Sequence, residues 1–169
     1  MLRVGALAKE EVGKYINDHF VSCFQKVGTF RIAAGQKQGG NVASYFCTPD
    51  NRVLHVIAGP VDAATLLREA RWVEEAYKLG LLEGKSDTAR FKEFFRQAHA
   101  ERLRKDYGLD ISTPNAWGHR RGLGNQGRVH LLMAAAPTAK VEQVYKLVFE
   151  KILNEKVSTS PVVVAGNRE

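Results

Sequence analysis

The chain has 169 residues, 44% of them apolar and 25% charged, which is the balance of a globular protein with room for one sizeable core. No stretch approaches the ~18 uninterrupted apolar residues of a membrane span, and the N-terminus lacks the apolar core and cleavage site of a signal peptide, so a cytoplasmic protein is expected. The formal charge of +7 is spread along the chain (+3 over residues 1–60, zero over 61–100, +4 over 101–169), which favours weak attraction to polyanions without marking a nucleic-acid site.

Residues Ala8–His19 carry helix signals, with Val12, Tyr15 and Ile16 at helical spacing behind an acidic lead-in. Phe20–Val27 has apolar groups on both alternating sides and is read as a buried strand, with Thr29–Ala34 continuing it or forming a second short strand. The Gly-rich stretch Gly35–Asn41 is read as a flexible loop, because its spacing is not that of a phosphate-binding motif. Val42–Thr48 and Arg52–Ala58 then form a hairpin about a Pro-Asp-Asn turn, and this hairpin organises the rest of the chain. Gly59-Pro60 ends the second strand, and Asp62 stands where a helix N-cap belongs.

The helix that follows carries one apolar stripe through Ala63, Leu66, Leu67, Ala70, Val73 and Tyr77, with Gly80 as its expected C-cap. Glu74-Glu75 lies on its solvated face and is not a catalytic pair. A second helix, opened by Ser86-Asp87 and closed by Gly108, presents Phe91, Phe94, Phe95, Ala98 and Leu103 to the domain before it. Residues 110–128 hold four glycines and a proline and are read as irregular. Val129–Ala136 is read as a strand or buried segment, and a last helix with Thr138 as N-cap runs towards Ser158–Pro161, ahead of a short apolar tail at Val162–Val164.

The order helix, buried strand, loop, antiparallel hairpin, helix resembles the later part of a thioredoxin fold. Three passages carry the resemblance: Glu11-Val12 through Val21, the turn Thr48-Pro49-Asp50-Asn51-Arg52-Val53, and Gly59-Pro60-Val61-Asp62-Ala63. They are similar to the corresponding passages of thioredoxin-like domains of the UAS and related bacterial kind, over about residues 8–80. The resemblance implies an α/β protein with a partial thioredoxin-like fold, a mixed sheet flanked by helices, at residues 1–80. Residues 81–169 would form a helical, basic extension packed on it. The family's Cys-x-x-Cys dithiol would precede Ala8, and Val42 stands where its cis-proline belongs, so the scaffold is expected without the redox chemistry. In the family fold a strand separates Phe20–Val27 from the hairpin; Val129–Ala135, or a second copy of the chain, is expected to fill that place.

Function follows from what the residues offer. The two cysteines, Cys23 and Cys47, are too few for a disulfide framework and sit among apolar neighbours, where a thiol behaves as a small buried hydrophobe. They are the candidates if the chain is instead a thiol–disulfide oxidoreductase. Five histidines (His19, His55, His99, His119, His130) show no metal-ligand spacing, so neither a metal nor a cofactor is expected, and His55 reads as a satisfied strand residue. Trp117, His119, Arg120 and Arg121 with Arg128 could contact phosphates and stack a base, which makes weak nucleic-acid binding the third reading. The expected role is a non-catalytic binding or scaffolding module with a protein partner, a homodimer included, and no membrane attachment.

Overall fold

The computed structural model describes residues 5–25, 27, 30–33, 36–112 and 122–157, with the backbone alone for 30–33 and 36–39. The chain is mostly helical. Among the described residues there are five α-helices, α1 (Glu10–His19), α2 (Ala63–Gly84), α3 (Thr88–Tyr107), α4 (Asn125–Ala135) and α5 (Val141–Leu147), and two small antiparallel hairpins. The first hairpin pairs β1 (Phe30–Ala33) with β2 (Gln36–Gly39), and the second pairs β3 (Ala43–Cys47) with β4 (Val53–Ala58).

The second hairpin is the centre. In its turn the Thr48 hydroxyl donates to Asp50 at 2.6 Å and accepts from the Arg52 N–H at 3.0 Å, while Asn51 takes a positive φ of 63°. Asn and Asp tolerate that conformation and hydrogen-bond locally, which is why this sequence turns here. Every residue of β4 is buried, because helices cover it from both sides. Leu54 and Ile57 join a cluster with Leu66, Leu67, Ala70, Val73 and Phe95 from α2 and α3. Val53, Val56 and Ala58 join another with Val129 and Met133 of α4 and with Val144, Val148 and Ile152 beyond it. The start of β4 is also tied to the segment before α5, through Val53 N–H to the Ala139 carbonyl (2.9 Å) and Val141 N–H to the Asn51 carbonyl (3.0 Å).

Several expectations change. Phe20–Val27 is not a strand over its described residues; Val21 is fully exposed and Phe24 81% exposed. A strand needs a neighbour to satisfy its backbone, and among the described residues the sheet holding β3 and β4 stops at two strands. Val129–Ala135 does not supply the expected neighbour, since it lies in α4. That helix is buried nearly all round, and periodicity cannot tell such a segment from a buried strand. Four residues of the Gly35–Asn41 stretch, Gln36–Gly39, form β2 instead of loop. Thr138 is not an N-cap; it lies at φ 54°, and α5 starts at Val141 behind Lys140. A π-helical turn, Val148–Ile152, continues α5. The tail at Val162–Val164 lies outside the described residues.

The Asp62 cap stands where the sequence puts it, accepting from Thr65 N–H at 2.7 Å, and Asp87 caps α3 by accepting from Ala89 and Arg90. Gly80 is not the C-cap of α2. The helix runs one turn further, to Gly84, and ends where Lys85 and Ser86 take positive φ. Gly80 serves packing instead: a Cβ there would lie 3.1–3.2 Å from the rings of Phe91, Phe94 and Phe95 on α3. Gly80→Ala should gain about 1 kcal/mol of helix propensity and lose more to crowding of three packed rings. The expected net effect is a loss of about 1–2 kcal/mol in urea unfolding; a gain in stability would contradict this packing.

Candidate functional site: a buried three-histidine cluster

β4, α3 and α4 each bring one histidine to the same point in the core. His55, His99 and His130 are 0–1% exposed, and their ring centroids lie 5.1–5.6 Å apart. Trp72 of α2 packs edge-on against all three at 5.1–5.9 Å. The Arg102 guanidinium lies over the Trp72 ring, 4.9 Å from its centroid.

The hydrogen-bond partners assign the tautomers. His99 Nε2 faces the Leu54 carbonyl at 2.8 Å, so it carries the hydrogen and leaves a lone pair on Nδ1. His130 Nδ1 lies 2.8 Å from that lone pair and must donate to it, which leaves the lone pair of His130 on Nε2. His55 Nε2 is 3.2 Å from Glu69 Oε2 and 3.2 Å from the Gln126 side-chain amide nitrogen. That amide nitrogen already donates to the Val56 carbonyl at 2.8 Å, and the carboxylate is the stronger acceptor, so His55 Nε2 donates to Glu69. Its Nδ1 keeps the lone pair. Neither His55 Nδ1 nor His130 Nε2 has a hydrogen-bond partner, although both are buried.

Glu69 is the anionic end of this network. Its residue is 1% exposed, and its carboxylate receives His55, Arg68 (3.1 and 3.2 Å) and Arg102 (3.2 and 3.3 Å). Burial alone would raise the carboxyl; the His55 hydrogen bond and the Arg102 guanidinium more than offset it, and it titrates well below the usual range. Arg102 is in turn held by Asp106 at 2.7 Å. The rings behave oppositely. Burial, reinforced by the charge of neighbouring rings, depresses His99 to about 3 and His130 further still. Burial depresses His55 against the pull of Glu69. All three are neutral imidazoles at neutral pH.

The other sequence candidates that are described do not gather here. Cys23 is exposed instead of buried in a strand, because the strand expected around it does not form. Cys47 is half-buried at the end of β3, and burial pushes its thiol up to about 11. Arg128 donates to the carbonyls of Lys151 and Ile152, closing the end of the π turn. Trp117, His119, Arg120 and Arg121 lie outside the described residues. Glu74, read as solvated, is ion-paired with Lys78 and with His19 (2.9 Å).

Spacing in the sequence gives no hint of the cluster, but burial pattern does. His99 sits between Phe95 and Leu103 at i±4 on the apolar stripe of α3, His130 between Val129 and Leu131, and His55 between Leu54 and Val56. Three histidines at core positions are three polar groups that must find partners inside. No family model, curated protein or solved structure matches this chain.

Two outcomes follow from the cluster. Removing the carboxylate leaves Arg102 and the His55 N–H without their acceptor, so Glu69→Ala should cost about 3 kcal/mol in urea unfolding, and less than 1 kcal/mol would show the network to be solvated. The pH dependence has a definite sign. The folded rings titrate below their unfolded value of about 6.5, so below that pH the unfolded chain binds more protons and stability is lost on acidification. His99 and His130 should each contribute a loss of about 1.3 kcal/mol between pH 7.5 and 5.5, and His55 adds to it in the same direction. Chemical unfolding in the presence of a chelator checks this; stability independent of pH over that interval would contradict it.

Proposed function

We propose that this protein is a non-catalytic binding or scaffolding module, built on the remaining corner of a thioredoxin-like fold. The observation that carries this reading is the burial of its titratable constellation. His55, His99, His130 and Glu69 are at most 1% exposed and spend their hydrogen bonds largely on one another and on the backbone. A general base or nucleophile must come within about 3 Å of a substrate atom, and groups sealed in this way are built to join elements. Glu69 ties α2 to α3 through Arg102 and to β4 through His55; the His99–His130 bond ties α3 to α4.

The thioredoxin-like origin is supported by the hairpin turn at Thr48–Arg52 and by the Asp62 cap, both standing where the resemblance puts them. The oxidoreductase reading is disfavoured by chemistry: the thiolate is the nucleophile, and Cys47 holds its proton to about pH 11. For nucleic acid, Arg128 already donates to two backbone carbonyls, which weighs against that reading.

An insulin-reduction assay tests the proposal. Wild-type protein should add nothing to the rate with dithiothreitol alone, and a Cys23→Ser, Cys47→Ser double variant should behave identically. Turnover by the wild type that the double variant abolishes would establish the oxidoreductase instead.

A further inference from the structure

We infer that His55, His99 and His130 form a site for one divalent transition metal ion of the zinc class, held by one nitrogen from each ring. The inference rests on the same sealed cluster as the scaffolding role, and gives that cluster a ligand.

The first argument is that the ring nitrogens are poorly used as they stand. A buried acceptor without a donor costs about 1–3 kcal/mol. His55 Nδ1 is buried and unpartnered, and the lone pair of His99 Nδ1 meets only another ring's N–H. His130 Nε2 is unpartnered too, so that ring can carry its hydrogen there and offer Nδ1 instead. Three neutral imidazoles with lone pairs to spare are the donor set of a borderline metal ion. Calcium and magnesium, which take oxygen ligands, do not fit it.

Geometry is the second. One ring nitrogen from each histidine lies within 4.8 Å of one from each of the others. An ion bonded to nitrogen at 2.0–2.1 Å in tetrahedral geometry sets its donors about 3.3–3.4 Å apart and the ring centres about 5.2 Å apart. The observed centroid separations of 5.1, 5.1 and 5.6 Å already match that spacing. The 2.8 Å contact between His99 Nδ1 and His130 Nδ1 has only to open by about 0.5 Å. The hydrogen between them moves to His130 Nε2, a tautomer change that frees both Nδ1 lone pairs without any net loss of protons.

The third argument is the outer shell. Metal-bound histidines almost always donate their second N–H to a carboxylate or a backbone carbonyl, which fixes the ring and raises its basicity. Two of the three rings have this partner in place: His55 Nε2–H on Glu69 and His99 Nε2–H on the Leu54 carbonyl. Both partners leave Nδ1 as the ligand atom. Arg102, the nearby cation, is offset by Glu69 and Asp106, so the surroundings do not repel a divalent ion. Three protein ligands leave a fourth position for a small exogenous ligand, and Trp72, edge-on to all three rings, limits its size.

The test is metal analysis of the whole chain after chelator treatment and dialysis against Zn²⁺. One ion per chain is expected, with Tm raised by roughly 8–15 °C at about a thousandfold excess over Kd. Co²⁺ in its place should give the visible absorption of a tetrahedral nitrogen site. His55→Gln and the His99→Gln, His130→Gln pair should lose the ion and the spectrum, while His19→Gln keeps both. Should the ring variants fail to fold, Glu69→Gln, which spares the ligands, should weaken affinity about 10–100-fold. A folded wild type without a stoichiometric ion, or an affinity unmoved by these variants, overturns the site. That result leaves the scaffolding role standing, whereas substrate turnover by the metal-loaded protein would overturn that role and leave the site.

Discussion

The bond between His55 and Glu69 is the constraint from which the rest of the core follows. A carboxylate in the interior costs several kcal/mol in lost hydration and is tolerated only where partners meet its lone pairs. Glu69 therefore dictates its surroundings: Arg102 must reach it from α3, His55 must present a hydrogen from β4, and Arg68 closes the remaining side. Once His55 Nε2 is committed to that acceptor, its Nδ1 is left with a lone pair and, among the described residues, no partner. The order of the helices around the hairpin is thus tied to the protonation pattern of one side chain.

The same chain of commitments separates this interior from an ordinary apolar one. A hydrophobic core could hold α2, α3 and α4 on β4 with Leu and Val alone, as it does around Ile57 and Val129. Replacing buried polar groups by apolar ones of similar volume is often neutral or stabilising. Retaining three histidines, a glutamate and an arginine in one place is therefore not explained by stability alone; the network also fixes which elements meet. Burial also keeps the rings neutral, which is the form that carries a lone pair.

How far the sequence could be read depended on whether the relevant interaction was local. The turn at Thr48–Arg52 and the caps at Asp62 and Asp87 are satisfied by residues within four positions, and all are legible. Phe20–Val27 and Val129–Ala135 are apolar runs whose form depends on what covers them, and each takes the shape that its neighbours allow. Gly80 has the look of a helix stop, and only the three rings of α3 show why the helix passes through it. The histidine cluster lay beyond reach for the same reason. Its members come from three elements with no shared spacing, and local pattern could say only that each sits on an apolar face.

¹⁵N-resolved NMR of histidine-labelled, chelator-treated protein reports directly on the state of the three imidazole rings. The predicted spectrum at pH 7.5 has three neutral rings, with hydrogen on Nε2 of His55 and His99 and on Nδ1 of His130. An imidazolium titrating near 6.5 at any of the three, or rapid tautomer exchange of the kind seen in free histidine, would contradict a sealed cluster with its lone pairs held ready.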